Sequence, residues 1–254
     1  MVNVLHDPAL TLLLLFVVAL WAGVQNALAG GGSFVTLPAL MFSGLDARTA
    51  NIASTLALFP GQTTTGWFGR SLVSGAEGLS FRALVLISLA GGAVGAVILL
   101  VTPASVFAHL VPWLVLFATG VYAWGSFAAR RGTSAHIGPR TAVAIQFLIA
   151  VYGGYFGGGI GFLMLAALTA AGQAVRTAGA SKNVLAAAMN AAAVAVFAFT
   201  PHIPWLRVAV VAAGAILGGW VGALALQRVN ETLIRGFVVV LGIALTIGLF
   251  IRAG

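Results

Sequence analysis

Long stretches without a charged residue divide the chain into segments of different lengths. A membrane-spanning helix needs roughly 20 apolar residues, so the distance between consecutive charges indicates how many helices a stretch can hold. One stretch, 83–129, is long enough for two helices and contains Thr102-Pro103, where a hairpin can turn because proline lacks an amide donor. Four others suit one helix each: 49–69, 183–206, 208–227 and 236–251. These five stretches predict six spans.

Two further stretches, 8–45 and 141–175, have an intermediate length. Each is too long for one span and too short for two spans with a turn, which predicts one span and half a span. Each also contains a glycine cluster, where a break or close packing is expected because glycine costs about 1 kcal/mol relative to alanine inside a helix. The clusters are Ala29-Gly30-Gly31-Gly32 and Gly157-Gly158-Gly159-Ile160-Gly161. The pattern predicts an all-α integral membrane protein with about eight transmembrane helices and a broken or re-entrant helix at each glycine-rich motif.

The second half of the chain repeats the first. A shift of 128 residues aligns the two intermediate stretches without a gap. Apolar composition produces many coincidences of alanine and leucine, but it does not place an arginine, a threonine and three glycines in register. The matched pairs are Gly30 with Gly158, Gly31 with Gly159, Phe34 with Phe162, Leu37 with Leu165, Ala39 with Ala167, Leu40 with Leu168, Gly44 with Gly172, and Arg48-Thr49-Ala50 with Arg176-Thr177-Ala178. We therefore expect two homologous four-helix repeats, 1–131 and 132–254, within one membrane domain.

Duplicated halves with interrupted helices at corresponding positions are typical of secondary transporters, because each break frees backbone groups near the middle of the bilayer. The substrate site is expected where the two repeats meet. Four full spans per repeat would give both the same orientation, whereas a broken element that crosses completely would invert one of them. Parallel and inverted repeats therefore both stay open.

Composition agrees with a bilayer as the solvent. Hydrophobic residues make up 61% of the 254 positions, charged residues make up 6%, and the mean hydropathy is +1.11. A soluble domain of this length would not stay in solution with such a balance. The formal net charge is +8, but the cations are thinly scattered, which favours basic loops between membrane spans over a surface for nucleic acid. We therefore expect a multi-pass protein of the cell membrane, that is, the cytoplasmic or inner membrane.

Polar side chains follow each glycine cluster at corresponding positions. Pro60 removes a helical hydrogen bond beside Gln62, and Asn190 aligns with Gln62 at the same shift, so these amides and the freed carbonyls could line a polar pathway. The alternative for the hydroxyls is hydrogen bonding back to their own helix. The candidate substrate-binding residues are Gly30, Gly31, Gly32, Asn51, Ser54, Thr55, Gln62, Gly158, Gly159, Lys182, Asn183 and Asn190.

The charges favour an anion as the substrate. A cation transporter usually needs a carboxylate inside the membrane, but every acid falls in a predicted loop or at its edge. Arg48, Arg176 and Lys182 lie at the starts of the polar spans, where they could snorkel to the interface or attract and gate an anion. Lys182 is the cation closest to the polar core. The four acids are Asp7, Asp46, Glu77 and Glu231, of which Asp46 is the one candidate for a coupling group.

The two glycine-rich segments and the polar spans after them resemble the TauE/SafE sulfite exporter family, also called the 4-toluene sulfonate uptake permease family. The resemblance covers nearly the whole chain and is carried by 30–40, 50–61, 153–161 and 180–190. It implies a duplicated four-helix unit and the transport of small anions such as sulfite, sulfonates and sulfoacetate. Ala166 stands where the first repeat has Pro38, and Gly179 where it has Asn51, so the halves are expected to contribute unequally.

The sequence therefore predicts a secondary transporter for a small anion that is bound between the repeats and exposed alternately to each side. An anion channel of the same fold and a non-transporting membrane subunit that assembles a partner stay as alternatives. The chain has no cysteine, metal-ligand cluster, P-loop lysine motif or nucleophile elbow, which predicts no enzyme activity and no cofactor. The expected partners are the anion and the lipid bilayer, not nucleic acid, and a homodimer is one assembly state left open.

Overall fold

Ten helices make up most of the described part of the chain, which is residues 7–28, 31–127, 138–225 and 231–253 of a computed structural model. A 3-10 turn, Arg70–Leu72, follows the third helix. Within these ranges the one extended pairing is an isolated bridge between Ala76 and Leu79. The helices are α1 Pro8–Leu28, α2 Ser33–Phe42, α3 Ala47–Gly69, α4 Phe81–Val101, α5 Ala104–Phe127, α6 Pro139–Tyr155, α7 Ile160–Ala170, α8 Val175–Phe197, α9 Trp205–Ala225 and α10 Glu231–Ala253.

Among the described residues, five helices are long and apolar enough to cross a bilayer. Their outer faces carry large apolar side chains: Val101 is 73% exposed, Leu86 is 66% exposed and Trp124 is 61% exposed. Such faces are stable only in an apolar solvent, which indicates a multi-pass helical membrane protein. The count of eight spans is not reproduced by these five and stays a prediction. The five segments are Pro8–Ala27, Phe81–Val101, Ala104–Trp124, Arg176–Phe197 and Trp205–Gly222.

Each stretch of intermediate length holds a long helix followed by a short one, with glycines between them. Gly31 lies two residues before α2 and has a φ of 80°, and Gly159 directly precedes α7 and has a φ of 71°. Residues other than glycine rarely adopt this left-handed backbone conformation, because their Cβ atom would clash with the backbone. The glycines therefore allow the chain to break the helix at these two points. Gly30 of the first cluster lies outside the described residues.

The two short helices also end in the same way. Gly44 after α2 and Gly172 after α7 both have positive φ, and the next residue in each case donates its amide hydrogen back across the last turn. Leu45 N–H donates to the Leu40 carbonyl at 3.3 Å, as expected of a Schellman motif. Adding 128 to the bounds of α3 (47 and 69) gives 175 and 197, the bounds of α8. This regularity supports the repeat, whose boundaries at 1–131 and 132–254 stay a prediction.

Contacts between helices divide the chain into two compact units, each drawing helices from both halves of the sequence. Unit 1 comprises Met1–Gly61, Pro103–Leu116 and Thr200–Gly254, and unit 2 comprises Gln62–Thr102 and Phe117–Phe199. α1 packs along α9 in unit 1, whereas α4 packs along α6 and α8 in unit 2. The first helix of each half therefore packs against the fourth helix of the other half, α1 against α9 and α6 against α4.

Glycine brings α1 and α9 close together in unit 1. Gly214, Gly218 and Gly222 recur every fourth residue on one face of α9, and each faces the backbone of α1. A Cβ on Gly214 would lie 2.5 Å from the Phe16 carbonyl oxygen, and one on Gly218 would overlap the Leu20 carbonyl oxygen. Small residues at this spacing let membrane helices approach closely enough for dispersion contacts between backbones.

Unit 2 uses glycine in the same way around α4. A Cβ on Gly92 would overlap the Met189 carbonyl oxygen of α8, and one on Gly95 would overlap the Val151 carbonyl oxygen of α6. The same interface contains a buried hydrogen bond of 2.8 Å from Gln146 Nε2 of α6 to the Ser88 hydroxyl of α4. These contacts fix α8, which carries the candidate site residues Lys182, Asn183 and Asn190.

The glycine contact between α1 and α9 can be tested with two neighbouring residues. We expect Gly218→Ala to lower the thermal stability of the detergent-solubilised protein, because the new methyl group would overlap the backbone of α1. Gly219→Ala is the matched control: its Cβ would meet only the Gly23 carbonyl oxygen at 3.9 Å, and alanine favours the helix by about 1 kcal/mol. Equal melting temperatures for both variants would contradict this packing.

Candidate functional site

The second glycine cluster places a cation beside the start of a helix. The Nζ atom of Lys182, on α8, lies 3.7 Å from the position that a Cβ on Gly161 would take. Gly161 is the second residue of α7, and the first helical hydrogen bond there runs from Phe162 N–H to the Gly159 carbonyl at 3.1 Å. The amides before Phe162 have no partner within the helix and form its positive end. Two sources of positive potential therefore converge on one spot, which is the arrangement that binds an anion.

The glycines of this cluster allow the close approach. Gly159 has the left-handed conformation, and a Cβ there would also press on Ala118 of α5 at 3.1 Å. Gly158 is buried, and a Cβ on it would come within 2.5 Å of the Phe156 ring. Both candidate glycines are therefore sterically required where they stand, and they leave the backbone at the start of α7 uncovered by side chains.

Two amides that the repeat alignment pairs are in direct contact. Asn190 Nδ2 donates a short hydrogen bond to Gln62 Oε1, joining α8 to α3 within unit 2. Asn190 is 4% exposed, and its Oδ1 atom is buried without a hydrogen-bond partner among the described residues. Lys182 precedes Asn190 by eight residues, about 2.2 helical turns, so the two lie about 80° apart around α8, within one broad face, and roughly 12 Å apart along its axis. The amide pair and the cation therefore belong to one polar face.

Asn183 lies beside Lys182 and contributes its backbone to packing. A Cβ on Gly66 of α3 would lie 3.3 Å from the Asn183 carbonyl oxygen, so the two helices nearly touch there. The position of α8 is also fixed from the loop before α4: Ser74 N–H donates to the buried Ser181 hydroxyl at 3.2 Å, and Gln173 Nε2 donates to the Ser74 carbonyl at 2.8 Å. The hydrogen bond to Ser181 and the contact of the Asn183 carbonyl with Gly66 hold the residues on either side of Lys182 in place.

Two backbone groups of the first glycine cluster, in unit 1, bond to neutral side chains of the protein itself. Gln25 Nε2 donates to the Gly31 carbonyl at 3.0 Å, and the Gly32 amide donates to Asn26 Oδ1 at 3.3 Å. Sequence reasoning missed Gln25 and Asn26, although two adjacent amides in an otherwise apolar helix just before a break are a readable signal. The Gly31 carbonyl and the Gly32 amide are therefore both bound by side chains of α1.

The candidate hydroxyls of α3 make local bonds. Ser54 is 1% exposed and its hydroxyl lies 2.6 Å from that of Thr36 on α2, while the Thr55 hydroxyl donates back to the Asn51 carbonyl at 3.0 Å. Asn51 is 2% exposed. Ser54 occupies the position that Lys182 has in the second half, so a neutral hydroxyl pair stands where the second half has a cation. The expectation that the halves differ is supported by this contrast.

The two candidate gating arginines lie at the starts of their helices. Arg176 is exposed in the first turn of α8, and its six-residue separation from Lys182 places the two about 120° apart around the helix. Arg48 is half-exposed near the start of α3, close to Asp46. Any role of Arg176 is therefore away from the spot next to α7, on another side of α8.

Asp46 caps the N-terminus of α3. Its Oδ1 accepts the Thr49 amide hydrogen at 3.1 Å, and its carbonyl accepts that of Ala50 at 2.9 Å. Burial alone would raise the pKa of the Asp46 carboxyl, but hydrogen bonds from Thr49 and Arg48, together with the Arg48 charge, lower it below its ordinary value. The carboxylate therefore stays ionised near neutral pH, which fits a capping role better than proton coupling.

Comparison with known proteins gives one family. The sequence model of the family described as sulfite exporter TauE/SafE matches residues 15–249. A probable membrane transporter protein, ORF9, from Sinorhizobium sp. is 31% identical over 250 residues, which is 96% of this chain and 95% of that protein. A probable membrane transporter protein of Haemophilus influenzae is 29% identical, covering 92% of each chain, and YfcA of Escherichia coli K12, also a probable membrane transporter protein, is 28% identical, covering 89% and 84%. No solved structure matches.

The contact between Gln62 and Asn190 predicts a coupling energy. Removing either amide should leave the other without its partner, so the losses of stability in Gln62→Ala and Asn190→Ala should not add in the double variant. We expect the departure from additivity, the interaction energy, to be about 0.5–1.5 kcal/mol. Thermal unfolding of the four proteins measures this energy. Gln62→Ala combined with Gln146→Ala is the control, since Gln146 bonds to Ser88 instead. Fully additive losses for Gln62 and Asn190 would mean that the bond is not formed.

Asp46 should make stability depend on pH in a defined direction. We expect Asp46→Ala to lower the free energy of unfolding by about 1 kcal/mol at pH 7, whereas Asp46→Asn should keep most of the cap. Because the folded pKa lies below the unfolded value of 3.8, the contribution of the charge is complete above that value and is lost as the pH falls through the folded pKa. The difference in stability between wild type and Asp46→Ala should therefore shrink as the pH falls from the unfolded value through the folded pKa, while that between Asp46→Asn and Asp46→Ala stays constant. A wild-type difference that does not shrink at acid pH would contradict this account.

Proposed function

The chain belongs to the TauE/SafE family of membrane transporters, and on this premise we propose that it carries a small organic or sulfur-containing anion across the cytoplasmic membrane by alternating access. The observation that carries the proposal is the position of Lys182 beside the start of α7. A family of transporters also implies that the chain is not an enzyme.

The chemistry of the spot next to α7 favours an oxyanion. Lys182 supplies a point charge, the first amides of α7 supply directed N–H donors, and Gly161 leaves the space between them free of a side chain. Sulfite, sulfonates and sulfoacetate present several acceptor oxygens on one small head, which such donors can share. The names of the relatives specify only membrane transport, so the sulfur chemistry rests on the family description.

The positions of the four acidic residues also favour an anionic substrate. Asp46 and Glu77 lie in connections between helices, Asp7 directly precedes α1, and Glu231 is the first residue of α10. An ionised side chain near the bilayer centre costs about 2.5–3.5 kcal/mol on insertion scales, so a cation is retained there only where it has a use or a partner. Lys182 is the eighth of the 23 residues of α8, within the apolar segment Arg176–Phe197, and we assign it the use of binding the substrate.

The proposal narrows the set of candidate residues. Lys182, Gly158, Gly159, Gln62, Asn183 and Asn190 form the polar face next to α7, and we assign the anion to this face. In the first half, Gln25 and Asn26 bind the Gly31 carbonyl and the Gly32 amide, and the Ser54 hydroxyl pairs with that of Thr36. We therefore assign Gly31, Gly32 and Ser54 to holding α2 in place, and Thr55, whose hydroxyl bonds to the Asn51 carbonyl, to α3 itself.

A binding assay tests the assignment. Purified protein should be stabilised against thermal unfolding by the best anion among sulfite, sulfonates and carboxylates, and Lys182→Ala should weaken the apparent affinity roughly tenfold or more, the effect of losing a charged hydrogen bond. Arg140→Ala is the control, because Arg140 is an exposed cation at the start of α6. Gln62→Ala should weaken binding less. If stabilisation survives Lys182→Ala and Gln62→Ala unchanged, the site is wrong.

A further inference from the structure

Unit 1 contains an apolar groove that the transport site does not use. Its volume is about 340 Å³, within the roughly 300–1,000 Å³ typical of ligand pockets. Leu14 at its edge is 42% exposed and Phe42 is 63% exposed, so the groove opens at the surface of the protein. The groove runs along α1 from Thr11 to Val18, about 10 Å. Its walls include Leu14 and Val18 of α1, Val35 and Ala39 of α2, and Leu241 and Leu245 of α10.

A second cavity continues the groove toward the helix ends and is polar at its far side. It has a volume of about 550 Å³ and shares Thr11 and Ser43 with the groove. Arg207 and Trp205, in the first turn of α9, line it together with Pro8 at the start of α1. The α9 ladder begins where Val208 N–H donates to the Pro204 carbonyl at 3.0 Å, so the amide of Arg207 lies at the positive end of the helix.

The two connected cavities have the shape and polarity of one phospholipid. We propose that unit 1 binds an anionic phospholipid, with its phosphate at Arg207 and one acyl chain in the groove between α1, α2 and α10. A guanidinium binds phosphate with two parallel hydrogen bonds, and helix N-terminal amides add donors of the same kind. Trp205 is 56% exposed, as expected of a tryptophan at the level of lipid headgroups. A small anion has no use for the apolar part of the cavity.

The groove is a feature of unit 1 and not a general consequence of the repeat. The position in the first half that corresponds to Leu245 is Phe117, which belongs to unit 2. Its ring packs against that of Tyr152 with centroids 5.5 Å apart, nearly edge-on at 73°. Leucine at 245 leaves the room that a phenylalanine ring would take.

Native mass spectrometry of protein reconstituted with phosphatidylglycerol or phosphatidylcholine tests the proposal. Wild type should retain one phosphatidylglycerol in preference to phosphatidylcholine. Arg207→Gln should reduce that preference about fivefold, the factor that one cation contributes at an anionic lipid surface. Arg82→Gln, an exposed arginine at the start of the corresponding helix α4, should change nothing. Leu245→Phe and Ala39→Phe should reduce retention of both lipids by filling the groove.

A second readout locates the lipid. Phosphatidylglycerol brominated on its acyl chains should quench tryptophan fluorescence in wild type more than in Arg207→Gln, and Trp205→Phe should remove most of this difference. The proposal is wrong if Arg207→Gln and Leu245→Phe both retain phosphatidylglycerol as wild type does, or if Arg82→Gln loses it equally. It is also wrong if the cavity retains a short organic sulfonate in place of the lipid. These outcomes are independent of the Lys182 site, because Lys182 belongs to unit 2.

Discussion

Every interruption of a helix within a bilayer frees backbone N–H and C=O groups, and these groups need partners because lipid offers none. The two glycine-rich breaks of this chain meet that constraint by different means. In unit 1 the side chains of Gln25 and Asn26 bind the Gly31 carbonyl and the Gly32 amide. In unit 2 the first amides of α7 face Lys182 across the space above Gly161. The first arrangement is closed by the protein, and the second is chemically suited to an anion.

The difference between the breaks depends on packing at a distance from them. Gly92 and Gly95 let α4 approach α8 and α6 until backbones touch, and Ser181 and Gln173 tie the start of α8 to the loop before α4. A rigid α8 keeps Lys182 level with the start of α7 and brings Asn190 against Gln62. The small residues of the helix interfaces therefore determine where the charged and amide side chains of the polar face lie.

Much of this arrangement could be predicted from sequence, because a segment that crosses lipid must satisfy its backbone hydrogen bonds internally and therefore forms a helix. Charge-free runs separate helices by length, so the half-spans α2 and α7 follow from the excess length of 8–45 and 141–175. Glycine clusters mark the breaks because few other residues adopt positive φ, as Gly31 and Gly159 show. Lys182 was recognisable as the cation closest to the polar core.

Other features depend on contacts far apart in sequence, and these could not be predicted. Pairing Gln62 with Asn190 across 128 residues requires knowing that α3 and α8 meet, which apolar pattern does not reveal. The division into two units that mix both halves is of the same kind, because periodicity predicts helices and not their neighbours. The sequence offered Asp46 only as a candidate coupling group, because its capping role depends on the hydrogen bond that its carboxylate accepts from the Thr49 amide.

Counterflow in proteoliposomes tests the central claim that one anion site at Lys182 serves both sides of the membrane. Vesicles loaded with unlabelled sulfite or sulfonate should accumulate the labelled anion faster than empty vesicles when they contain wild type or Arg140→Ala. Lys182→Ala should lose this acceleration, while helical content and oligomeric state stay unchanged. Equal counterflow in wild type and Lys182→Ala would contradict a carrier whose site is centred on Lys182. A flux that neither saturates nor responds to anion inside the vesicles would also contradict it and would indicate a channel.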